Sequence, residues 1–337
     1  MIPQAMKTTS RILIIASAFS LILTQGCFKT WDIVYEQGFF SDTVKNMGGV
    51  NSTYDDYNTT GMPTISFYLP IVFSSNRTSL GGKFDLVDYE LYAEFNQVTG
   101  SFSLTAYDGS YPFNYLTDLC NTNDNEFGPT TCYVGGTEYF FLFASDRTSS
   151  MDLYASYFNS YSFTTASPLD PTPFRIVGAN LPDSYEAYAT LSKALAEFLF
   201  ASNRDGDLDI YRIKFDENDD LYSWARIDTT YPAERLGILN SDSADMYPYI
   251  NGNLLVFAST REEGYGGYDL YYSRRQDGEW TTPVNFGPAV NSPEDDCRPV
   301  VFLATYFTND LMIFSSNRPG GKGGFDLYYV GIPKMIE

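Results

Sequence analysis

Histidine is absent from the 337 residues. Without an imidazole there is no Ser-His-Asp triad, no Cys-His dyad and no histidine ligand for a metal. Cations are scarce too: 21 Lys and Arg face 42 Asp and Glu, a formal charge of −21. Phosphate binding needs clustered Lys and Arg, so nucleic acid is excluded as a partner. Charged residues make up only 19% of the chain while aromatics reach 17%, with 28 Tyr and 26 Phe. That balance belongs to a folded chain and not to a disordered acidic one. Four cysteines without a CxxC spacing offer no zinc or redox motif, and no metal or cofactor is expected.

Long apolar runs are also missing, with one exception. Lys7 and Arg11 precede ILIIASAFSLIL at 12–23, which is shorter than the ~20 residues a spanning helix needs and suits a signal-peptide core. The run is followed by Thr24, Gln25, Gly26 and Cys27, with a small residue directly before a cysteine. This resembles a bacterial lipoprotein signal, in which the cysteine becomes the lipidated N-terminus. The resemblance implies a leader over residues 1–26, a mature domain over 27–337 and membrane attachment through Cys27, with no transmembrane helix. The expected address is the outer membrane, lipid-anchored. In an oxidising envelope, Cys120 and Cys132, which flank a short polar loop, are expected to form a disulfide. Cys297 is left as a packed, inert thiol.

Internal repetition dominates the rest. An apolar strand ends in FSSNR at 73–77, FASDR at 143–147, FASNR at 200–204, FASTR at 257–261 and FSSNR at 314–318. The arginines Arg77, Arg147, Arg204, Arg261 and Arg318 stand 70, 57, 57 and 57 residues apart. After each comes a turn and an acid-apolar-Tyr string opening the next strand, at Glu90, Asp152, Asp209, Asp269 and Asp326. A polar string headed by Asn precedes each copy and ends in Asp56, Glu126, Glu186, Asp245 and Asp296, just before another strand. Four short strands per repeat is the content of a propeller blade. The fifth copy stops after its third strand. Residues 37–51 align without a gap to 277–291, so 39–46 should supply the missing outer strand and close the ring. The expected fold is therefore all-β, a single five-bladed propeller. A sixth blade has room only in the 70-residue interval.

The string FSSNRPGGKGGFDLYY at 314–329 resembles the WD40-like repeat of TolB-type β-propellers, and the likeness extends in weaker form over nearly the whole mature chain. Members of that family are bacterial envelope proteins, and the copies here look most like those of Bacteroidota-type lipoproteins. The resemblance implies a protein-binding or assembly role, without catalysis, and an envelope protein as partner.

The candidate sites follow from the repeat. Each strand-end Arg is expected to pair with the acid opening the next strand: Arg77 with Glu90, Arg147 with Asp152, Arg204 with Asp209, Arg261 with Asp269, Arg318 with Asp326. Asp56, Glu126, Glu186, Asp245 and Asp296 are expected to ring one mouth of the central channel, where they would hold a cation or a cationic segment, or cap turns. Asp205, Asp207 and Asp209 alternate like the start of a calcium loop, but their turn is too short for a full one. The alternative function is a glycan-binding or glycan-cleaving propeller. Cleavage needs two positioned carboxylates and no histidine. Acids that recur in every blade argue against a unique catalytic pair. Lys193 is the one charge on an inner strand that clearly breaks the pattern.

Overall fold

The structure is a computed structural model and describes residues 37–62, 68–100, 102–159, 171–226 and 231–336. The leader and Cys27 lie outside the described residues. Strand β1 (Lys45–Asn46) comes first in the chain and belongs to the last sheet. Blade 1 holds β2 (Asp56–Gly61), β3 (Tyr68–Ser75), β4 (Asp85–Phe95) and β5 (Phe102–Asp108). Blade 2 holds β6 (Glu126–Gly135), β7 (Glu138–Ser145), β8 (Asp152–Asn159) and β9 (Phe174–Arg175). Blade 3 holds β10 (Glu186–Ser192), β11 (Glu197–Ser202), β12 (Asp209–Lys214) and β13 (Glu234–Arg235). Blade 4 holds β14 (Asp245–Asn251), β15 (Leu254–Ser259) and β16 (Asp269–Gln276), with β17 (Glu279–Trp280) and β18 (Val284–Asn285) both on β16. Blade 5 holds β19 (Asp296–Phe302), β20 (Asp310–Ser316), β21 (Asp326–Ile332) and β1. All pairings within these sheets are antiparallel. The fold is the expected five-bladed propeller.

The second strand of each blade explains the aromatic excess. β11, β15 and β20 are buried along their whole length, polar ends included, because neighbouring blades cover both faces. Phe73, Phe143, Phe200, Phe257 and Phe314 occupy one repeat position and are all fully buried. Each contributes about 1.5–3 kcal/mol through burial.

Ring closure is as expected but narrower. Lys45 pairs with Tyr329 and Asn46 with Tyr328. Upstream, a bridge joins Gly38 to Phe307 and Phe40 stacks on Phe307 at 4.2 Å, fully buried. Residues 39–44 therefore form no continuous ladder. Phe40 packs by its ring, its backbone N–H and C=O both bond the Asn309 side chain at 2.9 Å, and Ser41 O accepts from Gly331 N at 2.7 Å. The longer first interval is filled by extended strands β4 and β5 and by helix α1 (Phe113–Cys120), which buries Phe113, Leu116, Thr117 and Cys120.

The expected disulfide is not formed. Cys120 ends α1 inside a cluster with Leu86 and Phe143, whereas Cys132 lies on an inner strand, where its Sγ accepts from Leu191 N at 3.3 Å. Both thiols are free and buried, as is Cys297. Burial pushes the Cys132 thiol up to about 12, so it stays protonated.

Candidate functional site

The five inner strands all begin at the acids of the polar string, so these acids share one end of the channel. They do not face it as free carboxylates. Asp56, Glu126, Glu186, Asp245 and Asp296 are each 0% exposed. Each is paired with its own blade's strand-end arginine: Arg77–Asp56 at 2.5 Å, Arg147–Glu126 at 3.2 Å, Arg204–Glu186 at 3.2 Å, Arg261–Asp245 at 2.6 Å and Arg318–Asp296 at 2.5 Å. The open cation site and the expected arginine pairing are thereby corrected, whereas turn capping holds: each acid also accepts a backbone N–H from the turn before it, at Ser52, Thr122, Leu181, Ser241 and Ser292. The ring is neutralised from within, and the arginines choose the inner acid over the strand-opening one. The reason is a second acceptor: each Nη2 also donates to a loop carbonyl entering the inner strand, at Val50, Cys120, Ala179, Leu239 and Val290. One fork thus satisfies a carboxylate and a backbone oxygen together. Each guanidinium also lies over two rings, as Arg147 does over Phe143 and Tyr154 at 5.2 and 4.6 Å.

The strand-opening acids turn outward instead. Asp152 pairs with Arg175 at 2.7 Å and Asp209 with Arg235 at 2.5 Å. Asp269 accepts from Asn285 at 2.8 Å and Asp326 from Asn46 at 2.9 Å. These four partners occupy equivalent positions on the outermost strands, so the acid ties strand three to strand four. In blade 1 the equivalent is Asp85, opposite Ser75, and not Glu90. Glu90 accepts from the exposed Tyr68 hydroxyl at 2.9 Å. Blade 1 reads Asp85-Leu-Val where the other copies have acid-apolar-Tyr, and this hid the true register.

A further repeated device went unread in the sequence. The asparagine heading each polar string bonds both backbone groups of one residue, as a strand partner would. Asn51 does so with Leu327, Asn121 with Leu86, Asn180 with Leu153, Asn240 with Ile210 and Asn291 with Leu270. Its signal was its presence in all five copies.

Two residues past each acid, every inner strand carries a bulge with positive φ: Asn58 (61°), Gly128 (57°), Tyr188 (58°), Tyr247 (61°) and Arg298 (50°). Here the fivefold pattern breaks. Tyr188 and Tyr247 pack at 4.3 Å between ring centroids, and a Cβ on Gly128 would come within 2.5 Å of the Tyr188 ring. Arg298, fully buried, crosses the channel from β19 to β6. Its Nη2 donates to Pro129 O at 2.8 Å, to Gly128 O at 3.3 Å and to Thr130 Oγ1. Its Nε and Nη1 have no partner, nor do the amide atoms of Asn58. This level closes the channel.

The opposite mouth is open and asymmetric. A pocket of about 360 Å³ is walled by residues 131–135 of blade 2, 190–194 of blade 3 and 249–252 of blade 4. Thr131, Thr190 and Ser192 bring hydroxyls, Asn251 an amide and Lys193 an ammonium; Cys132, Leu191 and Tyr249 add apolar surface. Tyr133 stands exposed at its edge. Lys193, odd in the sequence, is thus at the pocket. No Asp or Glu lines it.

No family model matches the chain, and no curated protein matches it in sequence. Among solved structures it is similar to a thermostable family-43 glycoside hydrolase at TM-score 0.51 and 9% identity, over 87% of this chain and 93% of that one. An α-L-arabinofuranosidase from Podospora anserina aligns at TM-score 0.47 and 9% identity, over 89% and 99%. TolB from Acinetobacter baumannii aligns at TM-score 0.36 and 14% identity, over 78% and 51%. What is shared is the β-propeller fold. The expectation that catalysis is absent does not stand. A family-43 glycoside hydrolase is among the structures built this way, so the fold gives no ground for excluding an enzyme.

Proposed function

We propose that this chain is a saccharide-binding propeller that takes its ligand in the pocket between blades 2, 3 and 4. The observation that supports this reading most is the pocket's place and chemistry. Three inner strands open a cleft at a channel mouth, and apolar floor, hydroxyls, an amide and a tyrosine edge converge there. A sugar presents the complementary surfaces, a C–H face for the ring and hydroxyls for the polar groups. Hydrolysis by a carboxylate pair would need acids from beyond this lining. Ala194→Trp, at an exposed lining position, should fill the pocket. Calorimetry against a panel of oligosaccharides should show binding to the parent and none to this variant at unchanged melting temperature. Equal binding by both would refute the site.

A second reading, docking to an envelope protein, is favoured by blade 1. Tyr68, Tyr92 and Tyr107 form an exposed ladder across β3, β4 and β5, with ring centroids 5.4 and 5.3 Å apart. Nearby, Tyr111 and Tyr115 are also exposed, whereas Phe113 is buried in α1. In either reading the proposed address is the envelope, through a lipid on Cys27. Among the described residues no helix is long and apolar enough to cross a membrane.

A further inference from the structure

The charge around the pocket runs against that of the chain. Acids outnumber bases two to one overall, 42 to 21, yet the lining carries one cation and no acid. Lys193 takes part in none of the ion pairs among the described residues. Thr131 Oγ1, buried in the same lining, has no hydrogen-bond partner. Arg298 lies one step deeper, bonded to the stretch 128–130 that leads directly into the lining, and no carboxylate pairs with it. Its Nε and Nη1 remain unsatisfied.

A guanidinium without a counter-ion is costly in a dry interior. Burial pulls Arg298 down to about 10, which still leaves it charged at neutral pH. Low-dielectric walls screen that charge poorly, so its potential extends toward the pocket floor at Cys132 and Tyr249. A cationic ligand would meet two positive groups there and no compensating acid. A neutral sugar would leave both uncompensated.

We propose that the pocket selects a carboxylate-bearing sugar, a uronic acid unit, with Lys193 Nζ meeting the carboxylate and Arg298 supplying positive potential from beneath. This deepens the saccharide-binding reading and rests on it. Lys193 is the contact residue in this arrangement. Arg298 acts through the field and through its hold on the backbone at 128–130.

The test is calorimetric titration of the full folded chain with glucuronate and galacturonate disaccharides, their neutral counterparts, and acetate. Uronates should bind at least about tenfold tighter than the neutral sugars. Lys193→Gln should cost the uronates about tenfold and leave neutral sugars unchanged. Raising the ionic strength should weaken uronate binding alone. Lys193 lies at a partly exposed turn, so its variant is expected to fold, and an unchanged melting temperature checks this. Neutral sugars binding as tightly as uronates would overturn the acid preference and keep the saccharide reading. Acetate binding as tightly as the uronates would overturn the sugar requirement. Binding of none of them would overturn both.

Discussion

Arg298 Nη2 on β19 donates to Pro129 O on β6 at 2.8 Å, joining blades 5 and 2, which are not neighbours in the ring. One side chain therefore bridges the channel at the level where the fivefold repeat ends. The same guanidinium leaves two nitrogens unpaired. Replacing a buried, incompletely satisfied charge by an apolar side chain of similar size is often neutral or stabilising. Arg298→Met is expected to be at least as stable as the parent in urea denaturation. A loss above about 3 kcal/mol would show that the cross-channel bonds outweigh the cost of the buried charge.

The repeated Arg–acid pairs are expected to behave in the opposite way. Removing Arg261 as Met leaves Asp245 buried and charged, with Ser241 N at 2.5 Å and Ser241 Oγ at 2.8 Å its remaining close donors. Breaking such a pair costs about 3–5 kcal/mol. Arg261→Met should lower the urea midpoint accordingly, whereas the exposed Lys45→Met should not.

Glu126 has a distinct pH signature. Desolvation by burial is the leading cause and raises its folded-state value above the ordinary carboxylate range, against the lowering by Thr122 and Arg147. The folded state then takes up this proton before the unfolded chain does. Its contribution to stability rises as pH falls from neutral through the raised value, and it levels off below the unfolded value. Compared at pH 7 and 5, Glu126→Gln should show a smaller gain on acidification than the parent.

The closing segment is held by a buried ring as well as by backbone hydrogen bonds. Phe40 is fully buried against Phe307, and β1 contributes two paired residues. Phe40→Ala should cost about 3–5 kcal/mol. Deleting residues 28–46 should lower the melting temperature further, since it also removes Asn46 from Asp326. An unchanged melting curve would show that the ring does not need its overlap.

The thiols give a chemical check. Cys120, Cys132 and Cys297 are buried and free. Mass-spectrometric mapping without reductant should find all three alkylated after denaturation and none before. A peptide linking Cys120 to Cys132 would contradict this. Separately, Cys27→Ala is expected to move the protein from the membrane to the soluble fraction.

Blade number and ring closure were legible because each copy repeats its strand-end string and the last copy lacks an outer strand found at residues 37–51. Which acid each arginine takes was not legible. Both acids recur with the same period, and the deciding group is a backbone carbonyl such as Cys120 O, which no side-chain pattern reports. Asp85 was hidden because the Glu90-Leu-Tyr string mimics the repeat five residues too late. The pocket was invisible for a different reason. It arises where inner-strand ends differ between blades, and a search for repeats discards differences. Lys193 was the one trace of it.

The measurement closest to the central claim is amide chemical-shift mapping of the folded chain titrated with uronate and neutral oligosaccharides. Saturable shifts confined to residues 131–135, 190–194 and 249–252 are expected, with their immediate neighbours. Shifts centred instead on the Tyr68–Tyr92–Tyr107 ladder, or no saturable shift with any saccharide, would contradict a ligand site at this channel mouth.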